Sequence, residues 1–215
     1  MEETNTAPSI PRLGDIAPDF QAQTTSGILS LDDFQGKWLV LFSHPMDFTP
    51  VCTSEFITFA RHYERFKELG TALMGLSIDS LFSHIAWVRS VKERFGVTIP
   101  FPIIADLDAK IANLYGMIMP GDISTATSRC LFVIDPNKTI RAIIYYPFTT
   151  GRNIEEVLRL VKALQVSDQN GVGTPAGWEP GDSVVEFPPQ TYEASEKVCA
   201  KGTECIDWYY CTRKL

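Results

Sequence analysis

Apolar residues along this chain fall into blocks whose period switches between continuous runs, which suit buried strands, and spacings of three and four, which suit helices. The run Trp38-Leu39-Val40-Leu41-Phe42 predicts a strand buried on both faces. Phe56, Phe59, Tyr63 and Phe66 then recur at helical spacing and define one apolar face. Thr53 or Ser54 is the expected cap of that helix, with Glu55 in its first turn. Residues 72–78 read as a strand, 81–95 as a helix closed by Gly96, 101–105 as a strand and 108–115 as a short helix. Residues 131–134 and 139–146 read as a hairpin around Asp135-Pro136-Asn137-Lys138, a good turn sequence. Asn153 is the expected cap of a last helix, 154–165, which carries Glu155 and Glu156 in its first turn. Alternation with one hairpin implies an α/β fold with a mixed sheet between helices.

The pattern stops near Asn170. Residues 171–177 form a Gly-rich linker, followed by Pro180-Gly181 and Pro188-Pro189. Two domains are expected, 1–168 and a small, irregular C-terminal arm, 169–215. Trp178, Trp208, Tyr209 and Tyr210 give the arm too much aromatic surface to stay unpacked, so it should rest on the main domain or on another subunit. With 215 residues, 45% of them hydrophobic, the chain can build a core without staples. A net charge of −7 argues against nucleic acid or an anionic membrane as partner. No apolar run reaches the roughly 18 residues of a membrane span. Residues 1–11 are polar and acidic and lack the basic and apolar regions of a signal peptide. These features point to a cytoplasmic protein.

The five cysteines are Cys52, Cys130, Cys199, Cys205 and Cys211, an odd count unlike a secreted disulfide framework. Cys52 falls where the first buried strand gives way to a helix. Unpaired N–H groups and the positive end of the helix dipole favour a thiolate there. A cysteine that attacks a peroxide O–O bond needs a thiolate, a donor that orients the substrate and stabilisation of the departing oxygen. Thr49 stands three residues before Cys52 and can hydrogen-bond the sulfur or a bound oxygen. Pro45 and Pro50 stiffen the loop. Arg129, just before the predicted strand 131–134, is the first candidate for a guanidinium that holds thiolate and peroxide together, and Arg152 the second. Cys130 reads as a small core hydrophobe, Cys199 as a bystander, and His62 and His84 as surface or packing residues.

The pattern Pro45-x-x-x-Thr49-x-x-Cys52 resembles the active-site signature of the peroxiredoxins. The longer string from His44 to Glu55, with Thr149-Thr150-Gly151-Arg152-Asn153 and Gly181-Asp182-Ser183-Val184, is similar to the subfamily with a long C-terminal domain, often called one-Cys. The likeness runs from Gly14-Asp15 to the C-terminus. It implies a thioredoxin-like fold and a thiol-specific peroxidase that reduces hydrogen peroxide and organic hydroperoxides to water and alcohols through a Cys52 sulfenic acid. Pro45, Thr49 and Arg129 would complete the catalytic set, with Arg129 binding peroxide. His44 and Arg152 match further polar residues near the site. Met46 stands where the family usually has a basic residue. An external thiol, thioredoxin-like or small, would recycle the enzyme, and no metal or organic cofactor would be required. Family members form dimers and rings of five dimers.

Cys199, Cys205 and Cys211 are spaced too widely for a usual zinc site, with no histidine near. Thiol–disulfide exchange fits them better, since a sulfenic acid needs a second thiol. The segment 204–211 resembles the tail of archaeal-type members, which implies that Cys211 resolves Cys52 across a dimer interface and that Cys205 pairs with Cys211 as a relay. Resolution by Cys205, or no resolving cysteine at all, stays open on the residues alone. A thioredoxin-type oxidoreductase would want Cys-x-x-Cys, but Thr49 occupies the partner's place. The lipid hydrolysis of some relatives needs a Gly-x-Ser-x-Gly elbow, and residues 34–38 hold no serine. A peroxide sensor or a chaperone-like ring is the non-catalytic alternative.

Overall fold

The computed structural model describes residues 10–122, 125–198 and 204–215, so Cys199 lies outside the described residues. The chain divides into two compact units, the first ending at Ile154 and the second running from Glu155 to Leu215.

In the first unit, β1 (Gln21–Thr24) and β2 (Gly27–Ser30) make a hairpin, and β3 (Trp38–Ser43) follows a 3-10 turn. Next come α1 (Pro50–Arg61), α2 (Tyr63–Glu68), β4 (Thr71–Ser77), α3 (Leu81–Phe95), β5 (Ile103–Ala105) and α4 (Lys110–Leu114). The hairpin β6 (Arg129–Ile134) and β7 (Ile140–Tyr146) closes the unit. The seven strands lie in the order β2-β1-β5-β4-β3-β6-β7. β3 and β5 run parallel to β4, while β6 is antiparallel to β3 and β7, and β1 to β2 and β5. The sheet is therefore mixed, as the interleaved hairpin requires.

β3 is central and covered on both sides, which explains its unbroken apolar run. Alternate residues split between the faces. Leu39 and Leu41 join Met74, Phe132 and the α4 residues Ile111 and Ala112 in one core cluster. Phe42, on the other face, stacks on Phe59 at 4.2 Å and meets Phe56 at 5.4 Å, both from α1. Gly75 of β4 is needed under this helix: a Cβ there would sit 3.0 Å from the Phe56 ring.

The helix of Phe56 starts earlier than the sequence indicates. Thr49 is the N-cap and Pro50 the first helical residue, a place where a missing N–H costs nothing. The hydroxyls of Thr53 and Ser54, the expected caps, instead donate back to the carbonyls of Thr49 and Val51. The apolar stripe also breaks at His62 into α1 and α2. α3 ends at Gly96, whose φ of 69° is left-handed, as expected.

The second unit holds α5 (Ile154–Asn170), five residues longer than expected, then β8 (Val184–Val185), α6 (Tyr192–Ser195), β9 (Glu204–Asp207) and β10 (Tyr210–Arg213). Its arm is not irregular: β8, β10 and β9 form a three-stranded sheet in that order. Trp178 is buried with Ala163, Val166, Val172 and Val184, whereas Trp208, Tyr209 and Tyr210 are exposed. No helix among the described residues is long and apolar enough to cross a membrane.

Candidate active site

Cys52 is the third residue of α1, on the turn that faces the sheet, and is fully buried. Pro45, also buried, follows the end of β3, and Thr49 is half-buried with its hydroxyl donating to the Met46 carbonyl at 2.9 Å. Arg129, the first residue of β6, reaches Cys52 from across the sheet. Its Nη1 lies 3.4 Å from Cys52 Sγ and 2.7 Å from Glu55 Oε2. Nε and Nη2 both donate to the Phe148 carbonyl, at 3.0 and 2.9 Å. Three hydrogen bonds, one to Glu55 and two to the Phe148 carbonyl, thus aim a permanent positive charge at the sulfur.

Glu55 was legible only as a first-turn helix acid. It is buried and holds both candidate arginines. Arg152 gives it three hydrogen bonds, from its backbone N and Nε to Oε1 at 2.8 Å and from Nη2 to Oε2 at 2.9 Å. The remaining Arg152 nitrogen donates to the Cys130 carbonyl. Burial alone would raise the Glu55 carboxyl, but the charges and hydrogen bonds of Arg152, then Arg129, outweigh it and hold it below its ordinary value. The local signal was its place one turn beyond Cys52 on a buried helix face. Its partners, 74 and 97 residues away, carry no local signal.

His44 is fully buried and forms a second cluster. Its Nε2 lies 2.9 Å from Asp47 Oδ1, and Asp47 also meets His84 Nδ1 at 2.8 Å. Of the two expectations for His84, surface or packing, the structure has the packing one, with a hydrogen bond at each ring nitrogen. Its spacing from Trp87 and Val91, the buried face of α3, was the available signal. Asp47 had none beyond its position in the loop.

Cys130 is buried in β6, and burial pushes its thiol up to about 12, in keeping with a small core residue. Cys52 and Cys130 are free, whereas Cys205 of β9 is bonded to Cys211 of β10, its register partner. Cys211 is buried and Cys205 partly exposed.

A buried cysteine at a helix start, with an arginine locked onto its sulfur, is equipped to attack a polarised bond and to stabilise the negative charge that moves away from it. The AhpC/TSA family pattern matches residues 13–143, and that of the C-terminal domain of 1-Cys peroxiredoxin matches residues 163–201. A peroxiredoxin of Aquifex aeolicus is 56% identical over 218 residues, covering 96% of this chain and 98% of that protein. One of Archaeoglobus fulgidus is 48% identical over 214 residues, 95% of this chain and 99% of that protein. Among solved structures, a yeast mitochondrial 1-Cys peroxiredoxin superposes with a TM-score of 0.86 at 41% identity, covering 96% of this chain and 100% of that one. Peroxiredoxin 6 of Arenicola marina gives 0.85 at 36% identity, covering 95% and 98%. The fold is thus the thioredoxin-like one that the sequence led us to expect. By sequence, by fold and by the cysteine chemistry it carries, the chain belongs to the peroxiredoxins, the thiol-dependent peroxidases.

Proposed function

We propose that Cys52 is the peroxidatic residue of this thiol peroxidase and that Arg129 is its electrostatic partner. The contact of Arg129 Nη1 with both Cys52 Sγ and Glu55 carries the reading. The Cys52 thiolate attacks one peroxide oxygen, the O–O bond breaks, and the electron pair leaves on the other oxygen, which takes up a proton as water or an alcohol. Cys52 is left as the sulfenic acid. Arg129 stabilises charge on sulfur and on the departing oxygen. Thr49 and Pro45 shape the loop, and Arg152 holds Glu55 so that Glu55 holds Arg129.

Resolution follows from a second thiol. Cys211 of another subunit attacks the sulfenic sulfur, a disulfide forms and water leaves. Cys205 then takes over Cys211, freeing Cys52. The pairing of Cys205 with Cys211 beside a free Cys52 supports this order. An external thiol, thioredoxin-like or small, reduces the tail. The similar yeast protein is described with glutathione and thioredoxin systems, which supports that donor class. Dimers assembling into a decameric ring would cover Phe48, Phe82 and the tail aromatics, all exposed in the single chain. A reducing, cytoplasmic setting suits chemistry that starts from a free Cys52.

The test is one equivalent of hydrogen peroxide on the reduced protein, quenched within seconds and run on a non-reducing gel. A disulfide-linked dimer absent from Cys52→Ser and Cys211→Ser is expected. A monomeric wild type with Cys52 as sulfenic acid would mean that Cys211 does not resolve it between subunits.

A further inference from the structure

His84 faces two groups that can only accept. Its Nε2 lies 3.1 Å from the Ile104 carbonyl, so that nitrogen carries a hydrogen. Its Nδ1 lies 2.8 and 3.1 Å from the two Asp47 oxygens. Burial alone would raise the Asp47 carboxyl, but hydrogen bonds from His44 and His84 outweigh it and hold it well below its ordinary value. Asp47 is then an ionised acceptor, held between the two imidazoles. Both ring nitrogens of the buried His84 therefore face oxygens, and the ring is held against one carboxylate.

The same carboxylate fixes the neighbour. His44 Nε2 points at Asp47 Oδ1 at 2.9 Å and must donate. His44 Nδ1 is the one buried side-chain nitrogen or oxygen among the described residues with no partner. A proton on it would place an unpaired N–H and a second cation in an aromatic cage, with Phe56 at 4.7 Å and Trp87 stacked at 5.2 Å. Nδ1 is therefore a bare lone pair. Phe56 stands one turn beyond Cys52 on the same buried face of α1, so His44 lies along the face that carries the reactive sulfur. A divalent ion does not explain the cluster. Metal bonds of about 2.0–2.2 Å would spread the ligands beyond the 2.8–2.9 Å seen between facing atoms.

We infer that Asp47, held in place by the buried His84, is a positioning device, which locks His44 as its Nε2–H tautomer and keeps Nδ1 as an acceptor beside Phe56, on the face of α1 that carries Cys52. The inference rests on the reading of Cys52 as peroxidatic for its consequence, but not for its protonation states. Asp47 and His84 act through His44 and touch no substrate. Without the pair, His44 is free to rotate or to carry its proton on Nδ1, and it would then present a donor where the site holds an acceptor.

Full-length protein labelled with 15N at histidine tests the protonation states directly at pH 7. His44 should show a protonated Nε2 with a bare Nδ1. A proton on His44 Nδ1, or a stoichiometric bound metal, would overturn the inference. Asp47→Asn keeps the shape and removes the charge. It should release the His44 tautomer and slow Cys52 oxidation by hydrogen peroxide about 10- to 100-fold, the size of effect that a misplaced group near the chemistry can have. An unchanged rate in a folded Asp47→Asn protein would overturn the positioning role. His84→Gln, which retains a donor to Ile104, serves the same purpose if Asp47→Asn does not fold. Mass spectrometry that finds no Cys52 sulfenic acid in wild type would sink the peroxidatic reading instead, and the histidine spectra would still stand or fall alone.

Discussion

Glu55 accepts from Arg129 and from three nitrogens of Arg152 in a buried setting, so Glu55→Gln removes the negative charge between two guanidinium groups. Breaking a buried pair from one side costs about 3–5 kcal/mol, and here it also frees Arg129 from its aim at Cys52. A lower urea midpoint together with slower peroxide oxidation is expected; loss of stability at full rate would show that Arg129 does not depend on Glu55. The pH dependence has the same origin. Glu55 and Asp47 are both held below their ordinary values of 4.5 and 3.8, because their partners outweigh burial. A depressed pKa in the folded state contributes stability above the unfolded-state value, and the contribution is lost as pH falls. Unfolding free energy should therefore decline as the pH drops from about 5 to 3, less steeply in Glu55→Gln, as urea titrations at several pH values would read. Cys130, pushed up to about 12, should stay unlabelled by a sulfenic-acid reagent after one equivalent of peroxide, with the label on Cys52 alone. The candidate site was legible as far as chemistry is local. Cys52, Thr49 and Pro45 stand close together in sequence, and Arg129 was legible as a cation just before a predicted strand, which in fact begins with it. Glu55, Asp47 and His84 were not, because what defines them is a partner on another element.

Among the elements, α1 is held where β4 lacks a side chain. A Cβ on Gly75 would meet the Phe56 ring at 3.0 Å, tighter than packed carbons normally come. Gly75→Ala should cost about 1–3 kcal/mol as overpacking. Because Phe56 and Cys52 share one helix face, it should also slow Cys52 oxidation. Full reactivity with reduced stability would mean that the helix start is insulated from its first buried turn. The strength of burial also decides which elements can be read from sequence. β3, buried on both faces, and α3, with its left-handed Gly96, appear in the hydrophobic pattern. The β1–β2 hairpin does not, since only Thr24 of its eight strand residues is buried and an edge hairpin has little apolar rhythm. β9 and β10 fail for the same reason: Cys211 is their one buried residue. A cross-strand cysteine pair, which periodicity cannot register, joins them.

For the whole molecule, the oxidation state of the tail matters more than its shape. On the proposed relay, a Cys205–Cys211 disulfide together with a free Cys52 is the state expected after one peroxide has been reduced and before the external thiol has acted. In it both oxidising equivalents have left Cys52 and rest on the tail. Cys211 is buried while Cys205 is partly exposed, so an incoming thiolate should meet the Cys205 sulfur first and expel Cys211 as the leaving thiolate. Cys205→Ser removes the exchange step and leaves the attack of Cys211 on the Cys52 sulfenic acid intact. In wild type the intersubunit Cys52–Cys211 disulfide should then be transient, giving way to Cys205–Cys211 and a free Cys52. In Cys205→Ser it should persist until external thiol is added, and steady-state turnover should fall while the first oxidation of Cys52 keeps its rate. Non-reducing gels over a time course, with peptide mapping of the disulfides, separate the possibilities. If the linked dimer decays equally fast in wild type and Cys205→Ser, the tail pair is not a relay, and electrons enter directly at the Cys52–Cys211 bond.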